Sequence, residues 1–153
     1  MNKWRLTITP SKTKLIIFNH RIQDHSPTIN ICDNIIKPSQ TVKYLGIEID
    51  NKLKFNHHTA VIKRKIVTRA KHFRNLTYKN EGIAIETAAN IYKMICRPML
   101  EYGSAIFYNS KGPAKNNIKV AETTSLRQIT RMRHPDNPLH NPSNRMPYEK
   151  TGI

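Results

Sequence analysis

Acidic residues are scarce in this chain. Of its 153 residues only 10 are Asp or Glu, against 26 Lys and Arg, and the formal net charge is +16. The aspartates Asp24, Asp33, Asp50 and Asp136 are scattered and never adjacent. Metal-dependent phosphoryl transfer needs clustered carboxylates, so the chain lacks the means to hold two catalytic cations. Glycine is also rare, and Gly46 and Gly82 belong to no phosphate-cradling loop. Only two cysteines occur, Cys32 and Cys96, far apart and among apolar neighbours. They read as free thiols of a reducing, intracellular compartment (nucleus or cytoplasm) and not as a disulfide. The pair His57-His58 is no zinc site, because neighbours on a helix point about 100° apart. No apolar run approaches the roughly 20 residues of a membrane span. The residues Met1 to Arg5 lack the apolar stretch of a secretory leader.

What is present is basic charge. A charge of this size self-repels in a compact fold unless a polyanion or solvent offsets it, and nucleic acid is the first candidate partner. No carboxylate falls between Asp50 and Glu81, yet that interval holds Lys63, Arg64, Lys65, Arg69, Lys71 and Arg74. A solvated helix face normally intersperses Glu with such bases. The residues Ile62, Ile66, Ala70, Phe73 and Leu76 recur at three- and four-residue spacing, which predicts a helix from an Asn56 N-cap to about Leu76.

Elsewhere the periodicity is mixed. Trp4, Leu6 and Ile8 alternate with polar residues, and Leu15 to Phe18 form a short apolar run, so two strands are expected there. Thr28 to Cys32 and Ile35-Ile36 flank Asp33-Asn34 and predict a tight hairpin. Leu45, Ile47 and Ile49 alternate with Gly46, Glu48 and Asp50, the period of a half-buried strand over 41–50. The bare backbone of Gly46 allows close approach there. A second helix is expected over Ile83 to Cys96, with Ile85, Ala88, Ala89, Tyr92 and Ile95 inward and a kink or restart at Pro98. Leu100, Tyr102, Ile106 and Phe107 suggest that helix resumes after it. Gly112-Pro113 breaks the chain, and a third helix is expected over Asn116 to Arg133, with Ile118, Ala121, Leu126 and Ile129 on one face. From His134 onward Pro135, Pro138, Pro142 and Pro147 alternate with polar residues, and an extended or disordered tail follows. Tyr44, Phe55, Tyr78, Tyr92 and Tyr102 have rings able to stack on bases, although most fall on apolar stripes and read as core.

Three segments, in order, resemble the reverse transcriptases of non-LTR retrotransposons, especially the jockey-like group. Trp4-Arg5-Leu6-Thr7-Ile8-Thr9-Pro10-Ser11-Lys12-Thr13-Lys14 with the following Leu15 to Phe18 resembles the segment after the catalytic strands. Val42-Lys43-Tyr44-Leu45-Gly46-Ile47-Glu48-Ile49-Asp50 resembles the hairpin that grips the primer. Ile91 through Gly103 resembles the helical thumb. The resemblance implies an RNA-directed DNA polymerase, a nucleotidyltransferase of a mobile element, of which this chain is a C-terminal fragment. The parent's metal-binding aspartates, fingers and much of the palm are missing from it.

The expectation is thus an α+β fragment: a small, mainly antiparallel sheet over 1–54 (palm edge and primer grip), a helical thumb-like bundle over 55–133, and a Pro/Asn-rich tail over 134–153. Lys12 is the candidate proton donor in the intact parent only. Lys43, Tyr44, Leu45 and Gly46 match the primer-grip positions, and Lys63, Arg64, Arg69 and Arg74 are expected to bind nucleic acid. The expected partners are an RNA template with a DNA primer, or their hybrid, together with the parent's missing palm and fingers, and no membrane. No cofactor is expected on this chain, and Mg²⁺ is expected for the parent. The rival reading is a stand-alone basic RNA-binding protein of ribosomal type.

Overall fold

The computed structural model describes residues 7–18, 27–74, 82–131, 143 and 145–153. They form an α+β chain that divides into two compact units, Met1–Phe55 and Asn56–Ile153.

The first unit holds two separate antiparallel hairpins instead of one small sheet. Strand β1 (Ile29–Ile31) pairs with β2 (Asn34–Ile36), with Ile29 opposite Ile36 and Ile31 opposite Asn34. The two-residue turn is Cys32-Asp33, both with positive φ, one position earlier than the predicted Asp33-Asn34. Asn34 begins the returning strand instead and donates from Nδ2 to the Cys32 carbonyl at 2.8 Å. Strand β3 (Thr41–Tyr44) pairs with β4 (Ile47–Asp50) in the register Thr41↔Asp50, Val42↔Ile49, Lys43↔Glu48 and Tyr44↔Ile47. The alternation over 41–50 is therefore not one strand. A turn at Leu45-Gly46 interrupts it, and Leu45 leaves the buried face.

The predicted strand Leu15 to Phe18 reduces to a single parallel bridge between Leu15 and Pro38. Ser39 donates its N–H to the Leu15 carbonyl at 2.8 Å. Pro38 has no N–H, so the ladder has no donor at that residue. Ahead of it, Pro10–Lys12 form one 3₁₀ turn. The predicted strand at Trp4, Leu6 and Ile8 falls largely outside the described residues, and Thr7 to Thr9 carry no strand pairing.

Helix α1 (Asn56–Arg74) buries Ile62, Ile66 and Ala70, with His58 and Thr59 extending the stripe toward its start. Helix α5 (Pro113–Thr130) buries Ala114, Ala121, Thr123, Ser125, Leu126, Ile129 and Thr130. The two pack in parallel. Asn117 Nδ2 donates to Thr59 Oγ1 at 3.3 Å near their starts, and Arg131 Nε donates to the Arg74 carbonyl at 3.0 Å at their ends. Small side chains at Thr59, Ala70, Ala121 and Ser125, all fully buried, let the backbones come close. The His58 ring meets the Phe107 ring edge-on, 5.6 Å between centroids.

Helix α2 (Ile85–Ile91) runs through a π turn (Tyr92–Cys96) into α3 (Arg97–Glu101). The helix runs on through Pro98 without restarting. The π turn widens it just before the proline, with the Arg97 N–H bonding to the Tyr92 carbonyl, so the ring is accommodated in the first turn of α3. The extra residue shifts the buried stripe by one. Ala88, Ala89, Tyr92, Cys96 and Leu100 are buried, Ile95 is only half-buried, and Ile85 is exposed. Gly103, at φ 74°, turns the chain into α4 (Ser104–Phe107), of which Phe107 is buried while Ile106 stays exposed.

The expected extended tail contains a helix, α6 (Arg145–Thr151). Pro147 sits in its first turn, where the missing N–H costs nothing, and is fully buried. The Tyr148 hydroxyl hydrogen-bonds Glu122 of α5. Burial, then the Glu122 charge and this bond, raise Tyr148 above its ordinary range. Burial likewise pushes the Cys96 thiol up to about 11.

Tyr92 is fully buried, and its hydroxyl has no hydrogen-bond partner among the described residues. Removing an unsatisfied buried group relieves its desolvation cost. Tyr92→Phe should therefore stabilise the chain by about 1 kcal/mol in urea denaturation. A loss of stability would mean that the hydroxyl is bonded.

Candidate nucleic-acid interface

The residues singled out from the sequence lie on three features, two in the first unit and one in the second. Lys12 ends the 3₁₀ turn and is exposed. The Thr9 carbonyl anchors that turn, accepting from the Lys12 N–H at 3.1 Å and from Thr13 Oγ1 at 3.0 Å. The ammonium is thereby presented from a defined backbone position.

Lys43, Tyr44, Leu45 and Gly46 come together at the tip of the β3–β4 hairpin. Leu45 and Gly46 both have positive φ, 46° and 83°. That is the backbone of a type I′ turn, for which Asn-Gly is the favoured pair. Leucine in this conformation costs about 1–2 kcal/mol. Tyr44 is 65% exposed and Leu45 70%. The tip therefore displays an aromatic ring and an aliphatic side chain next to a lysine. Glu48 lies directly across from Lys43 and offsets part of its charge. A single strand over 41–50 would not bring these two residues together.

The loop into α1 depends on a residue that sequence reasoning does not single out. Asp50 Oδ1 accepts from the Lys52 and Lys54 N–H groups, each at 3.1 Å, and Oδ2 from the Phe55 N–H at 2.7 Å. These bonds hold Leu53 and Phe55 at φ 53° and 55°. The available signal is an Asp closing a strand before a polar loop, a residue that bonds backbone N–H groups just downstream. Asn56, expected as the cap, is the first helical residue, and its buried Oδ1 has no partner among the described residues. Burial raises the Asp50 carboxyl, but the N–H bonds from Lys54, Phe55 and Lys52 outweigh it and hold it below the usual carboxylate value.

On α1 the four chosen bases do not share one face. At about 100° per residue, Lys63 and Arg74 lie roughly 60–80° from Ile66 on one side, and Arg64 and Lys71 roughly 140–160°. Arg69 lies about 60° to the other side. There its Nη1 donates to Met99 Sδ of α3 at 2.9 Å. One face thus carries Lys63, Arg64, Lys71 and Arg74, all exposed except the half-buried Lys63. Leu76 and Tyr78 lie outside the described residues. Among the other candidate rings, Phe55 and Tyr92 are buried, while Tyr44 and Tyr102 are exposed.

Among the described residues no three His, Cys, Asp or Glu side chains converge on a point that could hold a metal ion. Asp50 already uses both oxygens on backbone N–H groups, and Asp33 sits in a hairpin turn. The described carboxylates do not fit the paired Mg²⁺ ions of a polymerase. No described helix is long and apolar enough to cross a membrane.

In sequence the chain is similar to RNA-directed DNA polymerases of mobile elements. Over 127 residues, 83% of its length, it is 28% identical to the RNA-directed DNA polymerase from mobile element jockey of Drosophila melanogaster. It is 26% identical over 128 residues to the polymerase of the same name from Drosophila funebris. Over 129 residues it is 26% identical to the probable RNA-directed DNA polymerase from transposon X-element of Drosophila melanogaster. The chain spans 14% of the length of each of these proteins. No protein-family model and no solved structure matches it.

The geometry generates two expectations. Asp50→Asn should cost about 1 kcal/mol near pH 7, at the low end for charged hydrogen bonds because solvent reaches the carboxylate. A depressed carboxyl contributes stability that is fully present above its unfolded value, near pH 4, and is lost as pH falls through the folded value. The gap between wild type and variant should therefore close as pH drops below about 4, followed by urea titrations at stepped pH. Leu45→Asn should relieve the turn, slowing amide exchange over residues 41–50 by about fivefold, the equivalent of ~1 kcal/mol. Gly46→Val should speed that exchange, because a β-branched side chain is strained at φ 83°.

Proposed function

We propose that this chain is the part of a mobile-element reverse transcriptase that holds the primer–template duplex. By itself it binds RNA·DNA hybrid without extending it. The observation that carries this reading is sequence likeness to jockey-type polymerases along 83–84% of the chain. Two physical features support it. The α1 face of Lys63, Arg64, Lys71 and Arg74 suits phosphate oxygens, contacts that position a duplex without reading its sequence. The β3–β4 tip suits the primer end, with Gly46 allowing close approach of the primer backbone and Lys43 countering its charge. Tyr44 and Leu45 supply apolar contact to the terminal sugar and base.

In the intact enzyme the two-metal chemistry belongs to aspartates outside this chain. Mg²⁺ would supply the charge compensation there, and the residues here, Lys12 apart, would place the primer. Lys12 is suited to protonate or electrostatically stabilise departing pyrophosphate, where negative charge develops. The site of action is inside the cell, nucleus or cytoplasm, where template RNA is available.

Fluorescence anisotropy on recessed and blunt RNA·DNA hybrids across a salt series tests the reading. Affinity should fall with salt. The combined variant Lys63→Ala, Arg64→Ala, Arg74→Ala should flatten the slope by about 0.7–0.9 log unit per decade for each phosphate no longer neutralised. Arg69→Ala should leave the slope unchanged, since that side chain is turned toward Met99. Leu45→Asn keeps the turn and should weaken binding to the recessed end selectively. An unchanged slope in the triple variant would remove α1 as the phosphate surface, and equal weakening on both substrates would remove the tip from primer contact.

A further inference from the structure

The second unit has an exposed face that the duplex reading does not use. Along α2, the π turn and α3, the side opposite Tyr92, Cys96 and Leu100 carries Met94, Pro98 and Tyr102 at four-residue steps. Met94 is 77% exposed and Tyr102 58%. The chain then turns at Gly103, and Tyr108, at the end of α4, is 80% exposed, with Ile106 also exposed between them. Exposed bases line the same segment at Lys93, Arg97 and Lys111. Of the two acidic residues on this segment, Glu86 lies in the first turn of α2, and Glu101 accepts from Arg97 Nε at 2.7 Å, so that the charges of Arg97 and Glu101 offset each other. Tyrosines that belong to a core are buried here, as Tyr92 is. Tyr102 and Tyr108, by contrast, are exposed, on a segment that also carries the exposed Lys93 and Lys111.

From this run of exposed rings and bases along one segment we infer that the α3–α4 face is a stacking platform for single-stranded nucleic acid, separate from the face of α1 proposed for duplex. The partner's chemistry follows from the two kinds of group present. Flat tyrosine rings offer π-faces to unpaired bases, a contact tolerant of sequence, while Lys93 and Lys111 track the backbone phosphates. Duplex cannot use the rings, because its bases are already stacked on one another. A protein partner is the competing occupant, and the net charge of +16 favours the polyanion. The inference does not depend on the primer-binding reading, since a single strand would be held here whether or not the hairpin tip touches a primer.

The test uses the whole chain and two oligonucleotides of equal length and charge, one of mixed bases and one abasic throughout. Wild type should bind the base-bearing strand more tightly than the abasic one. Tyr102→Ala with Tyr108→Ala should lose about tenfold per stacked base on the former, while scarcely changing the latter. Tyr102→Phe with Tyr108→Phe should keep the preference, because stacking needs the ring and not the hydroxyl. Both substitutions lie at exposed positions, and circular dichroism verifies that the fold is kept. Equal binding of base-bearing and abasic strands by wild type would overturn the proposal. So would an alanine variant that binds as wild type does. A variant changed only in its sedimentation would instead mark the face as a self-association surface, which also overturns it.

Discussion

Close parallel packing of α1 on α5 is the contact on which the helical unit depends. It is made possible by side chains that barely protrude. Thr59 and Ala70 on one helix and Ala121 and Ser125 on the other are fully buried. Ile66, Leu126 and Ile129 fill the remaining space. Burying three such aliphatic side chains stabilises by roughly 1.5–3 kcal/mol each. The hydroxyls in the seam are not stranded: Thr59 Oγ1 donates to the Asn56 carbonyl and Ser125 Oγ to the Glu122 carbonyl. α5 also serves as the floor for α2 and for α6, through Glu122 and its bond to Tyr148. One helix is therefore buried on most of its circumference, and the bases of the unit are confined to what remains.

That confinement gives the charge its meaning. A helix buried along Ile62, Ile66 and Ala70 has only its flanks and back for Lys63, Arg64, Lys65, Arg69, Lys71 and Arg74, and it contains no carboxylate to separate them. The macrodipole accepts some of this charge, since Lys71, His72 and Arg74 fall in the last turn, where cations are favoured. Arg131 is accounted for similarly, because its Nε caps the Arg74 carbonyl. Lys63, Arg64 and Lys65 sit mid-helix and receive no such compensation from the helix. Their repulsion is relieved by a polyanion or by counterions, and for Lys63 and Arg64 this is the physical basis of the proposed phosphate contacts.

Much of this is legible in the sequence, and where it is not the causes are physical. The helix stripes over 56–74 and 113–130 follow from three- and four-residue spacing, which needs no knowledge of partners. Spacing fails where a local device shifts the phase. The π turn before Pro98 exchanges Ile95 for Cys96, because a widened turn advances the buried stripe by one residue. Alternation over 41–50 misleads for a related reason. Across a two-residue turn the face changes, and Leu45 stands at the turn while looking like a strand position. The Cys32-Asp33 turn lies one residue from its expected place, since Asp and Asn tolerate the left-handed region almost equally and Asn34 finds a bond to the Cys32 carbonyl instead. The helix Arg145–Thr151 is hidden by proline content, although a proline in a first helical turn is compatible with a helix. Of the site, the hairpin residues become legible through family resemblance. Asp50 escapes notice because a lone aspartate suggests no metal chemistry, while its bonding to backbone N–H groups leaves only a weak mark in the sequence.

The distribution of backbone strain bears on function in the first unit. Among its described residues, Cys32, Asp33, Leu45, Leu53 and Phe55 adopt positive φ without being glycine. Asp tolerates this well, but Leu and Phe do not. For Leu53 and Phe55 the cause is at hand, because Asp50 draws the Lys52, Lys54 and Phe55 N–H groups toward one carboxylate and the intervening residues must follow. For Leu45 the cause is the register, because Tyr44 opposite Ile47 leaves two residues to reverse the chain. Asn at position 45 would satisfy that turn at little cost and would also make the tip more soluble. Leucine does neither, and it is held out in solvent at the furthest point of the hairpin. Backbone strain at an exposed apolar residue is what motivates the proposed primer contact at this tip.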